Sequence, residues 1–381
     1  MNLLYDISAI QPNLDGKYHG GGKYGKIVFF KLVEMSINSN LKLFALFDDS
    51  KFLEKDIMDL ISINNIIKID LNKVLIDDIV SIYNIDKFYT ALPYNFKNLS
   101  KINCKIIGAI HGLRGLEMEL NWHSLLYVRG KLRFKNIIKI LLKNKVKKRQ
   151  LIHFKNLFNL QNINLYAVSN HTKYSIKTFV PNINIDKLKV FYSPDVTTTY
   201  KKKNNINGNY FLLVSGNRWL KNNLRAAKAI DAIISENSKL NYKVIITGVT
   251  NKKVYLKHIV NKESFILKKY VAEEELFNLY AHAYAFIYPT LNEGFGYPPL
   301  EAMRFGVPVV TTAFSSIPEI CSNAVLYANP YSVSEIKNRI LNLIFNNNLY
   351  KQLQQNGISR FETVRKKQRE DLDELISFIL S

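Results

Sequence analysis

Two glutamates, Glu293 and Glu301, lie in the run P-T-L-N-E-G-F-G-Y-P-P-L-E-A-M-R-F-G-V-P-V-V that begins at Pro289. Carboxylates move protons, attack or stabilise a sugar carbon, or accept hydrogen bonds from sugar hydroxyls. Between the two, Gly294-Phe295-Gly296 leads to Pro298 and Pro299, residues suited to open a helix. A glycine turn feeding a helix N-terminus aims backbone N–H groups at an anion. Gly306 stands where a glycine ends such a helix, and residues 307–311 read as a buried strand. A second set is Gly216-Asn217-Arg218-Trp219-Leu220-Lys221-Asn222, which follows a strand over 210–215 and precedes a helix. There Arg218 can grip a phosphate bidentately, and Lys221 adds a point charge. In the first half His111 directly follows a strand over 105–110, where ligands bind in open α/β sheets. His19-Gly20-Gly21-Gly22 follows the first strand, 3–7, and helical spacing runs from Ile27 to Ile37. Gly21 and Gly22 permit close approach of backbone to a ligand, and a plain surface turn is the other reading of the same glycines.

The elements that must position these residues alternate. Strands are expected at 41–47, 66–69, 87–91, 105–110, 164–169 and 189–192, then at 210–215, 242–247, 265–268 and 284–288. Helical patterns separate them, among them 222–234, 252–260, 273–281 and 333–344. This rhythm predicts an α/β fold of two Rossmann-like, doubly wound parallel-sheet domains facing a cleft. The polar run Lys201-Lys202-Lys203-Asn204-Asn205 marks the linker. The expected domains are 1–197 on the acceptor side, 198–348 on the donor side, and terminal helices over 349–381. Asp371-Leu372-Asp373 has the form of the paired aspartates of metal-dependent sugar transferases, but it falls mid-helix and is set aside.

Composition narrows the classes. Hydrophobic content of 47% and charged content of 22% are globular values. No apolar run approaches a bilayer span, and the first residues lack a basic, then apolar, leader, so a chain neither secreted nor integral is expected. Cys104 and Cys321 are too few for a disulfide framework or a cysteine metal site, which fits the cytoplasm. The net charge of +22 calls for an anionic partner. From Arg129 to Lys155 cations crowd with no acidic residue among them. Phe134, Ile137, Ile138, Leu141 and Leu142 share one helical face and Lys135, Lys139 and Lys143 another. Two readings follow: a core-facing helix with a solvated side, or a helix lying on the anionic inner face of the cell membrane. No nucleic-acid motif accompanies the charge, and no nucleic acid is expected as partner.

Cations and amides suit a pyrophosphate and carboxylates suit sugar and ribose hydroxyls, so the implied ligand is a nucleotide sugar. A glycosidase pair of carboxylates is an alternative, although plain hydrolysis gives Arg218 and Lys221 no role. E-G-F-G-Y-P-P-L-E-A-M-R-F-G-V-P-V-V, with S-S-I-P-E downstream, resembles the signature of retaining GT-B glycosyltransferases of the large family four, the glycosyl transferases group 1. R-W-L-K-N-N resembles their diphosphate-binding motif. The resemblance covers the second domain and, in the first, rests on the glycine loop with Gly21 and Gly22 and on His111. It implies that Glu293 contacts the donor sugar near the reacting carbon and Glu301 the ribose hydroxyls. Arg218 and Lys221 would hold the diphosphate, the amides of Gly294, Phe295 and Gly296 the sugar, and His111 the sugar from the other domain, with the final helix crossing back. The chain departs where the family often has adjacent Arg-Lys, and has Ser322-Asn323-Ala324 where Gly-Asp-Ala is common. The implied activity is metal-independent, retaining sugar transfer from a UDP-, GDP- or dTDP-sugar to a saccharide or lipid-linked saccharide acceptor, in lipopolysaccharide, O-antigen or capsule assembly. No metal or further cofactor is expected. A nucleotide-sugar epimerase and a non-catalytic binding module of the same fold are the alternatives.

Overall fold

The computed structural model describes residues 1–11, 20–37, 39–96, 98–196, 208–237 and 239–381. His19 and the linker expected at 201–205 lie outside them. The chain forms two compact units, one of Met1–Leu113, Lys148–Val196 and Lys367–Ser381, the other of Arg114–Lys147 and Thr197–Lys366.

In the first unit β1 (Asn2–Asp6), β2 (Lys42–Phe47), β3 (Ile67–Asp70), β4 (Lys87–Thr90), β5 (Lys105–Ile110) and β6 (Ile163–Ala167) form one parallel sheet, ordered β3-β2-β1-β4-β5-β6. Leu3, Leu4 and Tyr5 are all fully buried, as strands covered on both faces require. Tyrosines in this core satisfy their polar tips on one another, with Tyr24, Tyr89 and Tyr166 hydroxyls chained at 2.7 Å. The stretch expected as a 189–192 strand makes only one parallel bridge, Ala167 with Val190. The first helix, Gly20–Ser36, begins inside the glycine cluster, so Gly21 and Gly22 are helical and not part of a loop. Gly25 explains part of the glycine content: a Cβ there would collide with Ile10 Cγ2, and its carbonyl accepts the Tyr5 hydroxyl at 2.6 Å. The end of the last helix, Asn347–Leu380, buries Leu375, Ile376 and Ile379 in this core. Lys87 Nζ caps it, donating to the carbonyls of Ile379 at 3.1 Å and Leu380 at 2.8 Å. Asp371 on the same helix accepts the Tyr192 amide at 2.7 Å and the Lys367 ammonium at 3.1 Å, which is structural work.

The second sheet repeats the winding. Its strands β7 (Tyr210–Leu213), β8 (Lys243–Ile246), β9 (Phe265–Leu267), β10 (Ala285–Ile287), β11 (Val309–Thr311) and β12 (Leu326–Tyr327) run in the order β12-β11-β10-β7-β8-β9, all parallel. The strand order reverses between β7 and β10. The helix expected over 252–260 shortens to Lys253–Leu256, because the Asp231 carboxylate captures the amides of Val260 at 2.8 Å and Asn261 at 2.9 Å.

Residues 114–147 group with this unit, although the sequence reading kept 1–197 together. The segment has no strand of its own, and Tyr127 joins the second core with Leu224, Ala227 and Val254. It also carries the helix Gly130–Leu141, which a new helix, Lys143–Phe158, follows after Leu142. Ile140 is the one residue buried on the first of these. Of that stripe Ile137 is half-buried, whereas Phe134, Ile138, Leu141 and Leu142 are 66, 41, 68 and 44% exposed, so the stripe as a whole does not face the core.

Ser322 ends the short helix Ile317–Cys321 at φ 49°, ψ −132°. A side chain is strained there and glycine is not. Ser322→Gly is therefore expected to raise stability by about 1 kcal/mol, read as a higher unfolding midpoint in urea; a lower midpoint would contradict it.

Candidate functional site

Ligand sites of doubly wound sheets form beyond the carboxyl ends of the strands where the order reverses. In the second unit that point lies between β7 and β10, and the loops leaving these two strands are stitched together. Asn222 adopts the left-handed conformation at φ 60°, which asparagine tolerates, and its amide donates to the carbonyls of Pro289 at 3.0 Å and Pro330 at 2.7 Å. Leu291 N donates to Leu220 O at 2.8 Å. The turn Trp219–Lys221 is thereby fixed against residues 289–293.

This framework brings the Lys221 ammonium onto Glu293 Oε1, a contact between two side chains that are only 6 and 9% exposed. The same oxygen accepts the Tyr288 hydroxyl at 2.6 Å and the Thr290 hydroxyl at 3.0 Å. The backbone of the loop is held as well. Glu293 N donates to Ser315 Oγ at 2.8 Å, and Ser316 Oγ donates to the carbonyls of Phe295 at 2.6 Å and Glu293 at 3.1 Å. Burial alone pushes the Glu293 carboxyl up, but the charges of Lys221 and Arg114 and the bonds from Lys221 and Tyr288 outweigh it. The group therefore lies below its ordinary value and is ionised. Burial pulls Lys221 down, and Arg114 and Arg218 add to that pull against the opposing charge of Glu293.

Arg218 is exposed at the start of the turn Trp219–Lys221, close enough for its charge to be felt at Lys221. Glu301 is half-buried on the helix Tyr297–Arg304, which starts at Tyr297, one residue before Pro298. Burial raises the Tyr280 hydroxyl well above its usual range, and the Glu301 carboxylate beside it adds to the shift. Gly296 caps that helix at φ 122°, a backbone conformation that strains any side chain, and a Cβ there would sit a tight 3.2 Å from Ile317 Cδ1. Gly306 closes it at φ 66°, its amide donating to Met303 O at 2.9 Å while Val307 N donates to Ala302 O at 3.2 Å, the paired bonds of a Schellman cap. Gly294 is half-buried and Phe295 is buried, its ring 5.2 Å from that of Tyr297.

The structure thus brings Glu293, Lys221 and the charge of Arg218 together, with Gly294, Phe295 and Gly296 continuing from Glu293 and Glu301 on the next helix. His111, Gly21 and Gly22 belong to the first unit. There His111 follows β5, half-buried, with Nε2 3.0 Å from Ala91 O and its ring edge-on to Tyr24 at 4.7 Å. Among the described residues no group of three or more His, Cys, Asp and Glu is placed to hold a metal ion.

Sequence reasoning missed four contributors. Tyr288 and Thr290 share Glu293 Oε1, Glu117 accepts the Asn292 amide at 2.6 Å, and Arg114 Nη2 lies 4.0 Å from Glu293 Oε2. The signal available for Arg114 and Glu117 was their position just after His111. Nothing in their spacing points to residues 292 and 293.

Residues 196–360 match the family model described as Glycosyl transferases group 1. The O-antigen chain mannosyltransferase RfbU of Salmonella typhimurium is 32% identical over 184 residues, 46% of this chain and 50% of that protein. The chain therefore spans about half the length of this curated relative. Among solved structures, a glycosyltransferase from Rickettsia africae superposes with a TM-score of 0.66 at 15% identity, over 100% of this chain and 98% of its own. Anabaena Alr3699/HepE in complex with UDP-glucose gives a TM-score of 0.62 at 13% identity, over 99% and 100%.

Proposed function

We propose, from the premise that this chain is a GT-B protein whose residues 196–360 carry the sequence of the glycosyl transferases group 1, that it moves a sugar from a nucleotide sugar to a saccharide acceptor in O-antigen or lipopolysaccharide assembly. The observation that carries this reading is the buried Lys221–Glu293 pair at the switch point of the second sheet, with guanidinium groups beside it.

Glu293, held ionised, suits a position beside the sugar carbon, where positive charge develops as the bond to the leaving phosphate breaks. Retention follows if the departing phosphate oxygen takes the acceptor's hydroxyl proton on the face it leaves, while the acceptor oxygen bonds to the same carbon. Arg218 would carry the charge that builds on the diphosphate, a task that side chains can perform without a metal, while Lys221 stays paired with Glu293. Glu301 would accept the ribose hydroxyls, and the amides of Gly294, Phe295 and Gly296 would face the sugar. The donor's base is one of those in UDP-, GDP- and dTDP-sugars. A mannosyl donor comes first, because RfbU is named a mannosyltransferase. The decisive experiment incubates the protein with each class of nucleotide sugar and an O-antigen precursor and follows both nucleotide release and the anomeric configuration of the product. Release of nucleotide that does not depend on acceptor, or an inverted product, would count against this reading.

The acceptor we favour is lipid-linked and presented at an anionic membrane. No described helix is long and apolar enough to cross a bilayer. Supporting peripheral contact, the exposed apolar Phe134, Ile138 and Leu141 recur at helical spacing, bordered by Lys131, Lys135 and Lys145. Lys143 and Lys147 are poorer probes because both face Glu119, at 3.0 and 3.9 Å. Phe134→Ser with Leu141→Ser is expected to lower sedimentation with anionic vesicles, as is Lys131→Gln with Lys135→Gln and Lys145→Gln. Unchanged sedimentation in both variants would remove the membrane from the proposal.

A further inference from the structure

We propose that Arg114 is a third cation of the donor site, its guanidinium contacting the diphosphate of the nucleotide sugar alongside Arg218. The inference rests on the nucleotide-sugar reading above. Lys221 is buried and its ammonium is spent on Glu293, so that the pair is electrically neutral. The charge left over for an incoming anion resides on the two guanidinium groups. Arg114 Nη2 stands 4.0 Å from Glu293 Oε2, within reach of its field but beyond hydrogen-bonding distance, and its side chain is 44% exposed. Among the described residues its guanidinium donates no hydrogen bond, which leaves a planar fork of donors suited to phosphate oxygens.

The group is also held in place. Arg114 opens the single helical turn Arg114–Glu117, in which Leu116 is fully buried. Glu117 at its end accepts the Asn292 amide at 2.6 Å, tying the turn to the residue that precedes Glu293. Glu117 is the acidic neighbour on that turn, and this bond occupies one of its oxygens. The chain thus supplies from 114–117, within the segment that groups with the second unit, an Arg fixed on the loop bearing Glu293.

Titration calorimetry of the full chain with inorganic pyrophosphate tests this without knowledge of the base or sugar. Arg114→Gln is expected to weaken pyrophosphate about 10-fold or more, as loss of a charge-assisted bidentate contact should. Arg114→Lys is expected to fall between, and Lys351→Gln, an equal charge change at an exposed residue of the last helix, to bind as wild type does. Combining Arg114→Gln with Glu293→Gln separates direct contact from action through Glu293: a direct contact keeps its full effect in the Glu293→Gln background. Wild-type affinity in Arg114→Gln, an effect that vanishes when Glu293 is replaced, or no pyrophosphate binding by wild type would each overturn the proposal. Arg114-dependent pyrophosphate binding in a protein that transfers no sugar would leave the anion site standing and defeat the glycosyltransferase reading alone.

Discussion

Lys221→Ala is expected to destabilise the second unit by about 3–5 kcal/mol, more than a lost lysine usually costs, because it strands a buried carboxylate. Glu293 keeps the hydroxyls of Tyr288 and Thr290 in that variant, and Arg114 remains 4.0 Å from its other oxygen. These neighbours argue for the lower end of the range. The contrast that isolates the cause is Lys221→Met with Glu293→Gln. Gln preserves acceptance from Tyr288 and Thr290 and carries no charge, so most of the stability should return while sugar transfer stays abolished. Urea unfolding followed in both variants, with transfer assayed in parallel, reads the two quantities separately. A Lys221→Ala protein that unfolds at the wild-type midpoint would mean that Glu293 does not depend on its partner, and the electrostatic account of the site would fall.

How far the sequence leads here depends on the kind of fact. The strand over 105–110 is legible to the residue, because a strand covered on both faces is an unbroken apolar run that ends in glycine or polar residues. Gly306 is legible for a local reason too: few residues besides glycine accept φ 66° after a helix. Asp371 lies in a helix as its pattern predicts, and that it serves the Tyr192 amide emerges only from packing. The Lys221–Glu293 pair is of another kind. Its members are 72 positions apart, and they meet because β7 and β10 are neighbours at the reversal of strand order, a property of the whole sheet. The basic helix shows the same limit. A helical wheel groups Phe134, Ile138 and Leu141 on one side, but that Ile140 is buried while their stripe is left outward is decided by what the helix packs against. Residues 114–147 belong with the second unit through contacts such as Tyr127 in its core and Glu117 on the Asn292 amide, none of which carries a sequence signal of its own.

Arg218→Ala is expected to lower transfer turnover by about 10²-fold or more while moving stability by no more than about 0.5 kcal/mol. Where Lys221 is buried and structural as well as charged, Arg218 is exposed and spends its guanidinium on nothing else among the described residues, so its loss should be felt only when charge develops on the leaving diphosphate. Arg218→Lys keeps the charge and loses the planar fork, and an intermediate rate is expected. If side chains rather than a metal neutralise the leaving group, a chelator should slow wild type far less than Arg218→Ala does. Turnover of Arg218→Ala near that of wild type, or a chelator effect as large as the substitution's, would move the leaving-group charge off Arg218 and onto a group that these loops do not provide.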